Sequence, residues 1–408
     1  MILNDIAYYV DESIISDDIE RYQYVTTDSL LQNKEGRTIA TNLPPQTCSL
    51  THFMPGDVLI ANIRPYLKKI WKADIEGGCS KDVLVIRAKD GHFAEFVYAL
   101  AMQDAFFENA MLGNKGTQMP RGDKNKIMEF PVYIYNGDDE QKIGDIIDKI
   151  QKKIALNTRM NAELEAMAKQ LYDYWFVQFD FPDENGKPYK SSGGKMIYNP
   201  TLKREIPAGW EIKTLNQLAE IYRGVTYNKE DLISESEDSI LVLRGNNIPS
   251  SGQFSYDSNV AYIPKYMISE EQKINKGDII ITMSSGSKEH IGKCFMFQRD
   301  SKHTFGAFLS KFVPFQENRY FLYQSMLSDF FKVFVKTTCN GTGINNLTNS
   351  TFDNIYFPLP NKYILGEFES IVGSFYNKVG LFQMQNNELT HLRDSLLPML
   401  MNGQVTVE

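Results

Sequence analysis

Two stretches of the sequence combine positively charged side chains with aromatic or amide side chains. Residues 61–72 contain four cations, two aromatic rings and no acid: Arg64, Lys68, Lys69, Lys72, Tyr66 and Trp71. Residues 114–132 pass from a Gly-Thr pair through a polar loop to an aromatic-Pro step, and their polar part carries Lys115, Thr117, Gln118, Arg121 and Lys124. Cations can neutralise phosphate groups, arginine can bind the edge of guanine, and glutamine can bind that of adenine. We therefore predict Gln118 and Arg121 as base-reading side chains, and a solvated surface is the alternative for each stretch.

The second of these stretches has a counterpart near the C-terminus. Residues 340–359 also pass from a Gly-Thr pair through a polar loop to an aromatic-Pro step. This loop is uncharged, and its amide and hydroxyl groups are suited to phosphates or adenine edges. The candidate contacts are Asn340, Thr342, Asn345 and Asn346. An ordinary Asn/Thr turn is the alternative interpretation.

Two further signals occur twice, in the same order along the chain. The segment Leu3–Ala7 recurs at Leu215–Ala219, and a Gly-Asp turn with an aliphatic run occurs at 54–63 and at 275–284. With the Gly-Thr loops, the offsets are 212, 221 and 225 residues. A turn followed by a continuous aliphatic run is typical of a buried strand. The sequence therefore predicts a duplicated module of mixed α/β structure.

Each copy of the module is followed by a long segment with a heptad pattern. Apolar residues recur there in alternating steps of three and four, which is typical of a helix packed lengthwise on another helix. An asparagine within each apolar stripe can fix the register of such a pair. The predicted seam contains Ile147, Ile150, Ile154, Asn161, Leu164 and Leu171 in the first helix, and Phe375, Val379, Phe382, Asn386, Leu389 and Leu396 in the second. The alternative is that each helix is a core helix of its own globular domain.

These patterns predict the organisation of the whole chain of 408 residues. The predicted parts are a first domain (1–137), a first helix (138–178), a connector rich in Gly, Pro, Ser and Lys (179–206), a second domain (207–360), a second helix (361–402) and a C-terminal tail (403–408). A net charge of −8 neither requires nor excludes a nucleic-acid partner, because the charge of the binding surface, and not that of the whole chain, controls such binding. The scattered cysteines, and the lack of a signal segment or a long apolar run, predict a cytoplasmic protein without membrane contact.

The connector, FPDENGKPYKSSGGKM followed by EIPAGWE, resembles a segment of the specificity (S) subunits of Type I restriction-modification systems. The Gly-Asp turns, the Gly-Thr loops and the twin helices are also similar to that family, so the resemblance covers essentially the whole chain. It implies an α+β fold, in which two pseudo-repeated mixed α/β target-recognition domains are joined by two long antiparallel coiled-coil helices. It further implies that each domain reads one half of a split site in double-stranded DNA, and that the helices bind two modification (methyltransferase) subunits.

In that family, methylation and cleavage belong to partner subunits. The sequence agrees, because its one Pro-Pro pair, at 44–45, lacks the flanking residues of an amino-methyltransferase motif. No Gly-rich loop ends in Gly-Lys-Ser/Thr either. We therefore expect a non-enzymatic chain without a catalytic, cofactor or metal site. S-adenosylmethionine belongs to the partners, as do ATP and Mg if the complex includes restriction (motor and nuclease) subunits. A non-DNA scaffold or adaptor whose coiled coil tethers partners is the alternative function.

The predicted helices suggest how the two half-sites are spaced. A helix from residue 139 to 176 is roughly 55 Å long at ~1.5 Å per residue, which corresponds to about one to one and a half turns of DNA. Inserting one heptad into both helices at matched places adds about 10 Å. The preferred gap should then grow by roughly three base pairs, while both half-sites keep their sequences. Selection from a randomised DNA pool measures this gap, and an unchanged gap with a folded, active protein would contradict the prediction.

Overall fold

The chain folds into two compact units that each contain helices and sheets. The computed structural model describes residues 1–112, 119–248, 260–287, 289–339, 345–405 and 407. The first unit comprises residues 1–157 and 385–408, and the second comprises residues 158–384. The mixed α and β content predicted from the sequence is confirmed. Within the described residues, none of the helices has the length and apolar character needed to cross a bilayer.

A tight Gly-Asp turn leads into a central strand of the first unit. Gly56 has a φ of 96°, a left-handed conformation that favours glycine. The buried carboxylate of Asp57 accepts a hydrogen bond from the backbone N–H of Met54 at 2.8 Å, which closes the turn. The aliphatic residues that follow form the strand Val58–Ala61, all of whose residues are buried.

The second unit builds the same turn at the equivalent position. Gly277 has a φ of 92°, and Asp278 accepts a hydrogen bond from the backbone N–H of Asn275 at 2.8 Å. The strand Ile279–Thr282 follows and is buried throughout. The two Gly-Asp motifs of the sequence therefore have the same local structure.

The strands of the first unit form two four-stranded sheets. The first sheet is antiparallel, with the spatial order Ala7–Tyr9, Val83–Ala88, Val58–Ala61 and Ile70–Lys72. The second has the order Ser13–Ile15, Ser49–Phe53, Gly77–Cys79 and Tyr24–Val25, and its last pair is parallel.

The second unit repeats the first sheet strand for strand. Its four-stranded antiparallel sheet has the order Ala219–Arg223, Leu309–Pro314, Ile279–Thr282 and Cys294–Met296. A three-stranded sheet contains Ala261–Pro264, Ser239–Leu243 and His303–Phe305, with the last pair parallel. Three two-stranded pairs complete the described part of the unit: Met196–Asn199 with Arg204–Pro207, Glu211–Thr214 with Tyr356–Leu359, and Ser284–Ser285 with Asn345–Asn346.

Short helices cover the sheets of both units. The α-helices of the first unit are Leu3–Ile6, Ala94–Ala101, Asp104–Ala110 and Lys124–Met128. Those of the second are Arg319–Leu327 and Asp329–Thr338. Two long helices, Gly137–Tyr172 and Lys362–Met401, contribute to both units, and the first continues as a π-helix over Asp173–Val177.

In the first unit, the start of one long helix packs on the end of the other. Ile147 and Leu400 belong to the same buried cluster as Val58 of the central sheet. Along the contact, the Asn157 amide donates to Asn386 at 2.9 Å. The Arg393 guanidinium donates to the Gln151 side chain at 2.8 Å. Because the residue numbers rise in one helix and fall in the other, the two helices run antiparallel here.

In the second unit, the remaining parts of the two helices also run antiparallel, because Phe176 lies near Phe368 whereas the earlier Glu165 acts on the later Tyr376. The ring centroid of Phe176 lies 4.8 Å from that of Phe368. Both rings belong to the cluster that contains Ile279 and Ile281 of the central sheet. The long helices are therefore part of the core of each unit.

The predicted seam residues differ in burial. Ile147, Ile150, Asn161, Val379 and Asn386 are buried. Ile154, Leu164, Leu171, Phe375, Phe382, Leu389 and Leu396 are half-buried. Near the end of the second helix, the buried positions are Arg393, Leu397, Leu400 and Met401.

The connector between the two halves is anchored in the second unit. Phe179 and Phe181 are buried at its start, and Ile206 is buried at its end. Phe181 stacks on Tyr189 with ring centroids 4.6 Å apart. The segment therefore folds back on itself, with its exposed residues between two apolar anchors.

Glu165, on the first long helix, places a carboxyl group against aromatic side chains of the second unit. Burial raises the pKa of Glu165 to about 7. Its charge in turn contributes to the raised pKa values of Tyr323 and Tyr376, whose largest cause is burial. Because the folded-state pKa lies above the unfolded value, the stability associated with the neutral carboxyl is present at low pH. It is lost as pH rises through about 7.

We predict that Glu165→Gln stabilises the protein at pH 8 and has little effect at pH 5. The gain should be about 1–3 kcal/mol, since the substitution removes a buried charge that is present only at the higher pH. Thermal unfolding at the two pH values measures the effect. Glu163→Gln is the matched control, because Glu163 is exposed on the same helix. Equal effects of Glu165→Gln at both pH values would contradict the prediction.

Candidate nucleic-acid interface

In the first unit, backbone hydrogen bonds join two loops that are remote in sequence. The backbone N–H of Asn62, just after the central strand, donates to the Asp82 carbonyl at 2.8 Å, and that of Gly122 donates to the Asn62 carbonyl at 2.9 Å. Ile63 and Arg121 form an isolated β-bridge beside these bonds. We call these five residues the first loop pair. It brings together the two basic stretches of the sequence.

Arg64 continues the first loop pair in a strained conformation. Its φ is 54°, which is uncommon for a residue with a side chain, and its backbone N–H donates to the Pro120 carbonyl at 2.8 Å. Lys68, at the other end of the short helix Pro65–Leu67, has a φ of 50°. Left-handed non-glycine residues cost on the order of 1–3 kcal/mol each and cluster at functional sites. The backbone of the exposed Arg64 is thus held next to Pro120, the residue before Arg121.

Arg121 is exposed and paired with an acid of its own loop pair. Its guanidinium lies 3.0 Å from the Asp82 carboxylate, and the two side chains are 65% and 38% exposed. A pair this exposed stabilises a fold by about 0–1 kcal/mol. A phosphate or a guanine edge can therefore replace Asp82 as the partner of Arg121 at small cost.

The lysines of residues 61–72 are bound within the unit. Lys68 pairs with Asp104 at 2.9 Å, and Lys69 donates to the carbonyl of Thr27. Burial lowers the pKa of Lys69. Lys72 pairs with Glu95 and with another carboxylate, on the first long helix, both at 2.7 Å. Of the four cations in this stretch, Arg64 is the exposed one.

Lys124 is another exposed cation near the first loop pair. It is the first residue of the helix Lys124–Met128, which Asp123 caps by accepting the backbone N–H groups of Asn125 and Lys126 at 2.9 and 3.2 Å. The cap fixes the direction of the chain immediately after Arg121 and Gly122.

Several predicted contact residues lie outside the described residues, namely Lys115, Thr117, Gln118, Asn340 and Thr342. Asn345 and Asn346 form a short strand, in which Asn345 pairs with Ser285 and Asn346 pairs with Ser284. The side chain of Asn346 is exposed.

This short strand belongs to a second loop pair with the same backbone bonds as the first. The backbone N–H of Met283 donates to the Phe308 carbonyl at 2.9 Å, and that of Leu347 donates to the Met283 carbonyl at 2.8 Å. Ser284 and Asn346 pair with each other at the positions that correspond to the β-bridge between Ile63 and Arg121 in the first loop pair. We call Met283, Ser284, Phe308, Asn346 and Leu347 the second loop pair.

Sequence reasoning missed the acids that hold the basic residues. The Asp104 carboxylate pairs with the ammonium groups of both Lys68 and Lys34. The distance to Lys34 is 2.7 Å, and the Lys34 side chain is only 5% exposed. Burial would raise the pKa of Asp104, but the hydrogen bonds from these two lysines hold it below the usual value. Asp82 lies 39 residues before its partner Arg121, so no local pattern could reveal the pair.

Comparison with known proteins shows which proteins this chain is similar to. Residues 207–391 match the family described as "Type I restriction modification DNA specificity domain". The chain is 25% identical over 397 residues to the Type I restriction enzyme MjaIX specificity subunit of Methanocaldococcus jannaschii, which is 96% of this chain and 86% of that one. The predicted resemblance to Type I specificity subunits is confirmed.

Further specificity subunits are similar over part of the chain or in fold. The EcoKI specificity subunit of Escherichia coli is 30% identical over 212 residues, which is 50% of this chain and 44% of that one. The crystal structure of the Type I restriction-modification S subunit from M. genitalium matches with a TM-score of 0.58 and 12% identity. That match covers 98% of this chain and 95% of the other, and it concerns the fold alone.

We predict different effects for two exposed cations of the first unit. If Arg121 contacts a base edge, Arg121→Ala should cost about 1–3 kcal/mol of DNA binding and relax the preference at one position of the target. If Lys124 contacts a phosphate, Lys124→Ala should weaken binding to all sequences alike and lower the salt slope by about one. Binding of the full chain with its partner subunits, measured at several salt concentrations, separates the two effects. If Arg121→Ala changes neither affinity nor preference, the loop has a structural role.

Proposed function

We propose that this chain is the sequence-specific DNA-recognition subunit of a Type I restriction-modification complex. The observation that carries the proposal is the duplicated loop pair, built twice from equivalent backbone hydrogen bonds. Its first copy presents Arg121, with Arg64 directly after the loop-pair residue Ile63, and its second copy presents Asn346. Each target-recognition domain reads one half-site, so the target is bipartite. The match to the DNA specificity domain family supports this proposal.

We further propose a division of labour between this chain and its partners. Methyltransferase subunits, two in the complex, hold S-adenosylmethionine and carry out methylation. If the complex also cuts DNA, motor and nuclease subunits use ATP and Mg. The two long helices form an antiparallel coiled coil that binds the methyltransferase subunits, and the recognition domains extend over residues 1–137 and 207–360. This chain contributes recognition and assembly, and it works in the cytoplasm.

A groove in the second unit is suited to an apolar helix of a methyltransferase subunit. Its volume is about 820 Å³, and the apolar side chains that line it include Met167, Leu171, Tyr174, Ile371 and Phe375. Met167 is 51% exposed, and Tyr174 is 38% exposed. Covering apolar surface of this kind is worth about 25 cal/mol per Å². The groove lies between the two long helices, which is where the proposal requires a partner.

The test of the function is to purify the full chain with the methyltransferase subunit of its host and to sequence the duplexes that it selects from a randomised pool. We expect two short specified pieces separated by a fixed gap. Met167→Glu should reduce the copurified methyltransferase at least tenfold, because it places a charge in the apolar groove. Leu232→Glu is the matched control, since Leu232 is an exposed apolar residue outside the groove. If the complex selects no sequence, the proposed recognition of DNA is contradicted. If both substitutions reduce the copurified methyltransferase equally, the proposed docking in the groove is contradicted.

A further inference from the structure

The two loop pairs share a backbone but differ in the side chains that they present. Asp82 and Phe308 occupy equivalent positions, because the carbonyl of each accepts the backbone N–H that follows the buried part of the central strand. Arg121 and Asn346 are equivalent through their β-bridges. The exposed Arg121–Asp82 ion pair of the first loop pair is therefore replaced by an amide and a phenyl ring in the second.

The chemistry of the second loop pair differs accordingly. Phe308 is 67% exposed, and Asn346 is exposed beside it in the same hydrogen-bonded pair of loops. A single exposed phenylalanine needs no explanation by itself. The position of Phe308 does need one, because it is equivalent to that of Asp82, the partner of Arg121 in the first loop pair. None of the five residues of the second loop pair is charged, so these side chains do not neutralise phosphates.

We propose that the two loop pairs read opposite classes of base pair, with Asn346 and Phe308 selecting A·T pairs in the half-site of the second unit. An asparagine side chain can bind the N6 and N7 atoms of adenine in the major groove, and a phenyl ring can contact the methyl group of thymine. Arg121 of the first unit has the geometry for guanine O6 and N7. Phe308 is thus assigned a role in specificity. The proposal rests on the proposed function.

The half-site of each unit can be identified by substitution. In selections from a randomised double-stranded DNA pool by the full chain with its methyltransferase subunits, Arg121→Ala should relax one half-site and leave the other intact. The intact half-site should contain an A·T pair whose preference falls about tenfold in Asn346→Ala. Asn346→Arg should move the same position toward G·C. Relaxation of a G·C position by Asn346→Ala, or no change of either half-site in the two Asn346 variants, would overturn the proposal.

A chemical substitution in the DNA tests Phe308 separately. Replacing thymine by deoxyuridine at the A·T position removes only the methyl group. It should weaken binding by the wild-type chain several-fold and leave binding by Phe308→Ala unchanged. Phe315→Ala is the matched control, since Phe315 is an exposed aromatic residue of the second unit outside the loop pair. An equal loss in the wild type and in Phe308→Ala would show that Phe308 does not contact the methyl group. If the wild-type chain selects no sequence at all, the proposed function itself fails.

Discussion

A buried aspartate at a glycine turn constrains each unit. Asp57 and Asp278 are 2% and 4% exposed, and a buried carboxylate is costly unless it is paired. Two bonds of 2.7 and 2.8 Å join Asp57 to Arg87 on the neighbouring strand, whereas Asp278 lies 3.3 Å from Lys311 on the equivalent strand. Each pairing ties the start of the central strand to its neighbour. The register of the sheet then determines where the central strand ends and where its following loop can bond.

The position of the loop pairs follows from that register. In both units, the backbone N–H of the first residue after the central strand donates to the carbonyl of the residue just before the neighbouring strand. The carbonyl of the same residue accepts a hydrogen bond from a loop near the end of the domain. These bonds use backbone groups, so they place no requirement on the side chains that the loops present. A pair of opposite charges and an amide beside a phenyl ring can therefore occupy the same scaffold. This separation allows recognition to change while the fold is kept.

The long helices belong to the cores of the units in which they lie. Gly144 shows how closely the first helix approaches its neighbour, because a Cβ atom there would lie 2.6 Å from the backbone nitrogen of Phe96. The bonds of Asn157 to Asn386 and of Arg393 to Gln151 add polar contacts to a largely apolar seam. Such a contact costs stability but favours one register over its alternatives. Packing and polar pairing thus fix the helices relative to the sheet of the first unit.

The sequence by itself determined the features that depend on local pattern. The Gly-Asp turns, the aliphatic strands and the heptad helices each follow from neighbouring residues, and their duplication was visible because the signals recur in the same order, with offsets of 212, 221 and 225 residues. The tertiary structure decided which cations remain exposed. Arg64 and Arg121 lie together because backbone bonds join their loops, whereas Lys69 and Lys72 are bound within the unit. Contacts between residues remote in sequence control this exposure, and a single sequence carries no local signal for them.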